Sequence, residues 1–163
     1  MRHNVLFALL AGGLTVLVSF PTGTSAQSTE EQAVLAAVQA MFDAMAGLDS
    51  DAFLETILPD GYFLAVGDDT NHRTSPGEFA KLLEGAPRPI FERIWDPEVR
   101  VSQSIATVWA PYDDYRGPEF SHCGMDAFQL LKLPEGWRVA MVSYTATRPP
   151  DCESHPEGPP GGE

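Results

Sequence analysis

Beyond Pro89 the hydrophobic spacing of this chain becomes that of strands alone, and that change limits the folds open to it. Upstream, Val34, Leu35, Val38, Met41, Phe42 and Met45 recur at helical intervals behind a Ser28-Thr29-Glu30-Glu31 capping sequence, with Gly47 as the stop. A second, shorter helix runs from the Asp49/Ser50 cap through Phe53, Leu54, Ile57 and Leu58 to Pro59. Tyr62 to Val66 reads as a strand turned by Gly67-Asp68-Asp69. Ser75-Pro76-Gly77-Glu78 then opens a third helix, with a cap, a proline at the first position and an acid at the third, feeding Phe79, Leu82 and Leu83. Downstream the period is two. Ile90 to Trp95, Val99 to Val101, Ile105 to Tyr115, Phe120 to Leu133 and Trp137 to Thr147 are strands separated by Asp-Pro, Ser-Gln, Arg-Gly-Pro and Pro-Glu-Gly turns. Helices first and a meander afterwards predict an α+β fold, with N-terminal helices packed on one face of a strongly curved antiparallel sheet.

The ends of the chain carry different information. Arg2 and His3 precede a nearly unbroken apolar run from Val5 to Phe20, and Thr24-Ser25-Ala26 forms a small-residue cleavage pattern, so residues 1–26 read as a secretory signal peptide. The run is short for a membrane span, which needs about 20 apolar residues. Residues 27–147 then form one domain, exported to a periplasm or outside the cell, with no membrane contact once the signal is removed. The Pro- and Gly-rich acidic stretch 148–163 lacks the apolar content to pack and is expected to be a disordered tail apart from Cys152. Cys123 and Cys152 are the two cysteines, and an oxidising compartment predicts that they pair. A formal net charge of −13 argues against nucleic acid or an anionic membrane surface as partner.

Between Trp109 and Phe128 the sequence gathers Tyr112, Asp113, His122, Cys123 and Asp126 around one predicted turn. With Gly117 at the centre of that turn, Tyr112 faces His122, Ala110 faces Gly124, Val108 faces Asp126 and Ala106 faces Phe128. Centring the next hairpin near Glu135 sets Asp126 across from Tyr144 and Phe128 across from Val142. Alternation places all of these on one face, where Tyr112, His122, Asp126, Phe128 and Tyr144 are candidate ligand-binding residues. The small residues Ala106, Ala110, Gly124, Ala140 and Ala146 beside them leave room for a ligand. The opposite face, with Ile105, Thr107, Trp109, Met125, Leu131, Trp137, Val139 and Met141, is too apolar to lie open, and a homodimer through it is the simplest cover. Asp113 and Cys123 point to that outer side. His72, Asp113, His122 and Asp126 show no tight metal-ligand spacing, so no metal or other cofactor is expected.

The pattern Trp109-Ala110-Pro111-Tyr112-Asp113, then Ser121 to Phe128, then Gly136-Trp137, resembles the nuclear transport factor 2-like superfamily, most closely its small exported SnoaL-like and lumazine-binding-like members. The resemblance spans about Glu30 to Thr147. It implies a cone-shaped sheet with a pocket, often dimeric through the sheet. Enzymes of that superfamily use Asp with Tyr (ketosteroid isomerases), His with Asp (scytalone dehydratase-like enzymes) or an Asp-Arg-Asp set (limonene epoxide hydrolases). No Arg falls on the predicted pocket face in 106–112, 122–130 or 140–146, so the last set is not expected. Because one superfold hosts both enzymes and binders, the leading expectation is a small-molecule-binding or accessory domain. The alternative is a cofactor-independent isomerase or dehydratase with His122 as base, Asp126 as second acid or base, and Tyr112 or Tyr144 as donor to an oxyanion.

Overall fold

The computed structural model describes residues 28–67 and 71–161. The signal-peptide reading of residues 1–26 lies outside them. Elements follow in the order α1 (Thr29–Gly47), α2 (Ser50–Thr56), β1 (Ile57–Val66), β2 (Asn71–Thr74), α3 (Pro76–Gly85), β3 (Ile90–Ile94), β4 (Glu98–Ser102), β5 (Ile105–Arg116), β6 (Glu119–Leu133) and β7 (Gly136–Thr145). Both expected capping boxes form, Ser28 with Glu31 and Ser75 with Glu78, each satisfying amide groups that a helix start leaves free. α1 ends at Gly47 as the sequence predicts, but the glycine is not the residue that takes the left-handed cap. Leu48 takes the left-handed conformation (φ 52°) and packs against the core, which offsets the steric cost of that backbone. The second helix also ends earlier than Leu58, because Ile57 is already paired with Val139 and buried as the first residue of β1.

One sheet carries the fold, in the order β2-β1-β7-β6-β5-β3, with β4 also pairing β5. β5 is long enough to serve two partners: β3 lies along residues 112–116 and β4 along 105–109. Splitting the edge in this way, together with bulges in β6 and β7, curves the sheet around the helices. The sheet is mixed, since β1 and β7 run parallel. The helices cover its concave face. Phe53 of α2, Phe63 of β1 and Phe79 of α3 stack with ring centroids 4.8 to 5.8 Å apart, and Phe42 meets Phe128 edge-on at 6.0 Å. Among the described residues no helix is long and apolar enough to cross a membrane.

The β5–β6 register is two residues away from the expected one: Tyr112 faces Gly124, Ala110 faces Asp126, Val108 faces Phe128 and Asp114 faces His122. The turn is the two-residue Gly117-Pro118, and Ser121 is an extra residue in β6. Because the shift is even, every side chain keeps its expected face. The β6–β7 pairs Asp126 with Tyr144 and Phe128 with Val142 stand as expected. Beyond them Ala140 is extra in β7, which turns Val139 and Trp137 inward rather than to the outer face; both are buried.

Cys123 and Cys152 form a disulfide, with their Cα atoms 5.7 Å apart. The stretch expected to be a disordered tail meets the domain beyond that link. The His155 amide donates to Asp113 Oδ2 at 2.8 Å, and the His155 ring lies edge-on to Trp95 at 5.3 Å. Polar and covalent contacts take the place of the apolar burial that its composition lacks. The outer face is thus partly covered by the chain's own end, whereas Ile105 and Trp109 at its other end are each 51% exposed.

Candidate functional site

Under α1 and α3 the curved sheet leaves a partly open cavity of about 60 Å³. Its apolar wall is Met41 and Met45 of α1, Phe63, Phe79 and Val142; its polar wall is Glu92, Tyr112, Asp114, Arg116, His122, Asp126 and Tyr144. Strand alternation explains the convergence, because Tyr112, Asp114 and Arg116 are successive inward positions of β5, and Glu92 faces Asp114 across β3.

Asp126 and Asp114 are each 1% exposed. The Glu92 and Asp126 carboxyls lie within hydrogen-bonding reach of each other, a contact that requires a proton between them. Burial pushes both well above the usual carboxylate range, and for Glu92 the neighbouring Asp126 and Asp114 charges push further. Asp114 is raised to about 6 by burial, which outweighs the attraction of Arg116, whose Nε lies 3.0 Å from Oδ1 without hydrogen-bond alignment. Both oxygens of Asp114 and Oδ2 of Asp126 have no hydrogen-bond partner among the described residues.

His122 is held neutral: burial, with help from Arg116 and Arg148, lowers it to about 4. Its Nδ1 contacts Ser121 Oγ at 2.9 Å and lies 3.5 Å from Asp114 Oδ1. Tyr112 donates to the Thr145 carbonyl at 2.7 Å, and its hydroxyl is raised by burial and by the Asp126 charge. Tyr144 is raised for the same first reason. The Tyr112 ring stands edge-on to both His122 (5.6 Å) and Tyr144 (6.3 Å). Gly124 has a role other than leaving ligand space. A Cβ there would overlap the Thr145 carbonyl oxygen, so glycine lets the end of β7 close over β6 and accept the Tyr112 hydrogen bond.

No protein-family model matches the chain, and no curated protein matches it. Solved structures do. A protein of unknown function with a cystatin-like fold from Nostoc punctiforme superposes with a TM-score of 0.61 at 9% identity, over 74% of this chain and 93% of that one. An NTF2-like protein of unknown function from Shewanella baltica gives 0.57 at 17% identity, over 71% and 92%. The fold is that of the nuclear transport factor 2-like, cystatin-like proteins. A ketosteroid isomerase-like protein from Erwinia carotovora atroseptica shares this nuclear transport factor 2-like architecture, with a TM-score of 0.56 at 19% identity over 76% of this chain and all of that one.

Within the cone, Tyr112, His122, Asp126 and Tyr144 come together at the cavity as the sequence predicts. Phe128 does not: it is 2% exposed in the core against Phe42, because α1 packs over that part of β6. Ala106 and Ala110 do not line the cavity either; both are buried, Ala106 within the core that the helices cover. Sequence reasoning misses Glu92, Asp114 and Arg116. Continuing the alternation from Tyr112 by two and four residues would have found the last two. Arg116 lies beyond 106–112, and it puts an arginine on the cavity wall beside Asp114. Glu92 carries no local signal, since β3 is brought to β5 by a pairing that spans the β4 excursion.

Proposed function

We propose that this chain is an exported small-molecule-binding domain whose ligand sits in the cavity between Glu92, Asp114, Asp126 and Tyr144. The observation that carries this reading is Asp126 Oδ2, a carboxylate oxygen buried at the cavity without a protein partner, in a fold where such groups are costly unless something uses them. Clustered carboxyls with displaced pKa values in a cleft support it. Ligand-observed NMR against a fragment library tests it. Hits are expected that compete for one site and vanish in Met45→Trp, which fills the cavity from α1. If no hit is lost in that variant, the reading fails.

The second reading is a cofactor-independent isomerase or dehydratase, and one observation favours it. The Glu92 and Asp126 carboxyls lie close together and both are raised by burial, so one member can take a proton while the other gives one. In this version Glu92 replaces His122 as the partner of Asp126, because a histidine lowered to about 4 is a weak base at neutral pH. Deuterium exchange next to the carbonyl of small ketones, followed by NMR, is expected to lose at least 100-fold in Glu92→Gln. Equal exchange in wild type and variant removes the catalytic version. The exposed outer face around Ile105 and Trp109 supports a homodimer. Light scattering is expected to give a dimer mass that Trp109→Glu halves.

A further inference from the structure

The polar side chains of the cavity are unevenly matched. Carboxyls arrive from three adjacent strands: Glu92 from β3, Asp114 from β5 and Asp126 from β6. One positive group faces them, Arg116, and its guanidinium is committed to Asp114 while its side chain remains 42% exposed. His122 is neutral, Tyr112 spends its hydroxyl on Thr145, and α1 and α3 bring only Met41, Met45 and Phe79. Asp126 Oδ2 is therefore buried at the cavity without a donor, and Asp114 beside it has only the misaligned Arg116, next to the rings of Tyr112, Tyr144, Phe63 and Phe79.

We propose that the ligand of this cavity is a small organic cation, a protonated amine on an apolar body, whose N–H groups donate to Asp126 and Asp114. This rests on the binding reading above. An anion would meet three carboxyls and is excluded by charge. A neutral hydroxyl could satisfy one oxygen but would leave the carboxyls to share the proton that burial forces on them. An ammonium supplies both the donors and the charge, so the proton between Glu92 and Asp126 leaves to solvent as the amine enters. The aromatic walls add an attraction for the same charge, and a net charge of −13 draws cations to the protein. The cation is organic because, among the described residues, no three His, Cys, Asp or Glu side chains converge to hold a metal ion.

Calorimetry on the whole mature protein with butylamine, cyclohexylamine and benzylamine, each beside its isosteric alcohol and carboxylate, tests the proposal at pH 7. At least one amine is expected to bind at least tenfold more tightly than its alcohol, with no carboxylate binding. Repeating that titration in buffers of different ionisation enthalpy is expected to show proton release. Glu92→Gln should abolish the proton release and Asp126→Asn the preference for amine. An alcohol binding as well as its amine, or a carboxylate binding at all, overturns the cation proposal and leaves the pocket reading standing. If no probe binds although library fragments bind and are lost in Met45→Trp, the cation proposal again falls alone. If no fragment behaves that way either, both readings fall.

Discussion

Asp113 and Asp114 are neighbours in β5, both buried, and they live in opposite worlds. Asp113 points to the outer face, where Arg93 grips it with two hydrogen bonds of 3.0 and 2.6 Å and the tail amide of His155 adds a third. Asp114 points to the cavity, where the nearest cation is misaligned and burial raises its pKa to about 6. One residue of strand alternation separates a carboxylate that holds the fold together from one that strains it. The lesson is that burial of a charge is not informative until its donors are counted. A fully satisfied aspartate reads as architecture, and an unsatisfied one lining a cavity reads as a site.

The contrast breaks most visibly on the Asp113 side. Arg93→Ala leaves a buried carboxylate without its cation and is expected to cost about 3–5 kcal/mol in urea unfolding. A loss below about 1 kcal/mol would mean that the tail amide alone suffices. Removing the strap comes next. Cys152→Ser opens a crosslink with a sequence separation of 29, and chain entropy puts its loss at about 3–4 kcal/mol. Smallest, and opposite in sign, is Asp114→Asn, which is expected to stabilise the protein by about 2 kcal/mol at pH 7 by removing an ill-matched buried charge. Unchanged or lower stability would show that Arg116 fully compensates Asp114.

Acidification sharpens the same contrast. Asp114 titrates near 6 when folded, against an ordinary value of 3.8, so between those values the folded state binds the extra proton and stability falls as pH rises. His122 works the other way. Its folded value of about 4 lies below the ordinary 6.5, so between them the unfolded chain binds the extra proton and stability rises with pH. Glu92 and Asp126, both raised, act in the same direction as Asp114 and are common to wild type and variant. The stability advantage of Asp114→Asn at pH 7 is therefore expected to shrink away in thermal unfolding as pH falls from 6 toward 4. An advantage that persists at pH 4 would contradict the raised Asp114.

Much of this was legible beforehand, and what was missed has physical causes. Local chemistry announced the helices: Ser75-Pro76-Gly77-Glu78 can do little but start one. Alternation announced the two faces of β5 and β6, and it survived a two-residue register error because only odd slips exchange faces. The bulges at Ser121 and Ala140 left no sequence mark, and the second sent Val139 and Trp137 to the side opposite the expected one. Four of the seven polar-wall residues, Tyr112, His122, Asp126 and Tyr144, were therefore visible. Glu92 was invisible because its place depends on a distant pairing rather than on neighbours in sequence.

The position of β7 has a consequence for how the molecule comes into being. It is the last strand in the sequence, yet it lies between β1 and β6 and is the only described strand joining the N-terminal pair β1–β2 to the rest of the sheet. Until residues 136–145 are available, β1 has no partner on that side and β6 keeps an open edge. Assembly therefore waits for nearly the whole polypeptide, with strand pairing that spans about half the chain and slow, all-or-none folding as the expected result. A ribosome that releases this protein piecemeal holds, until the end, two halves of a sheet and no cavity.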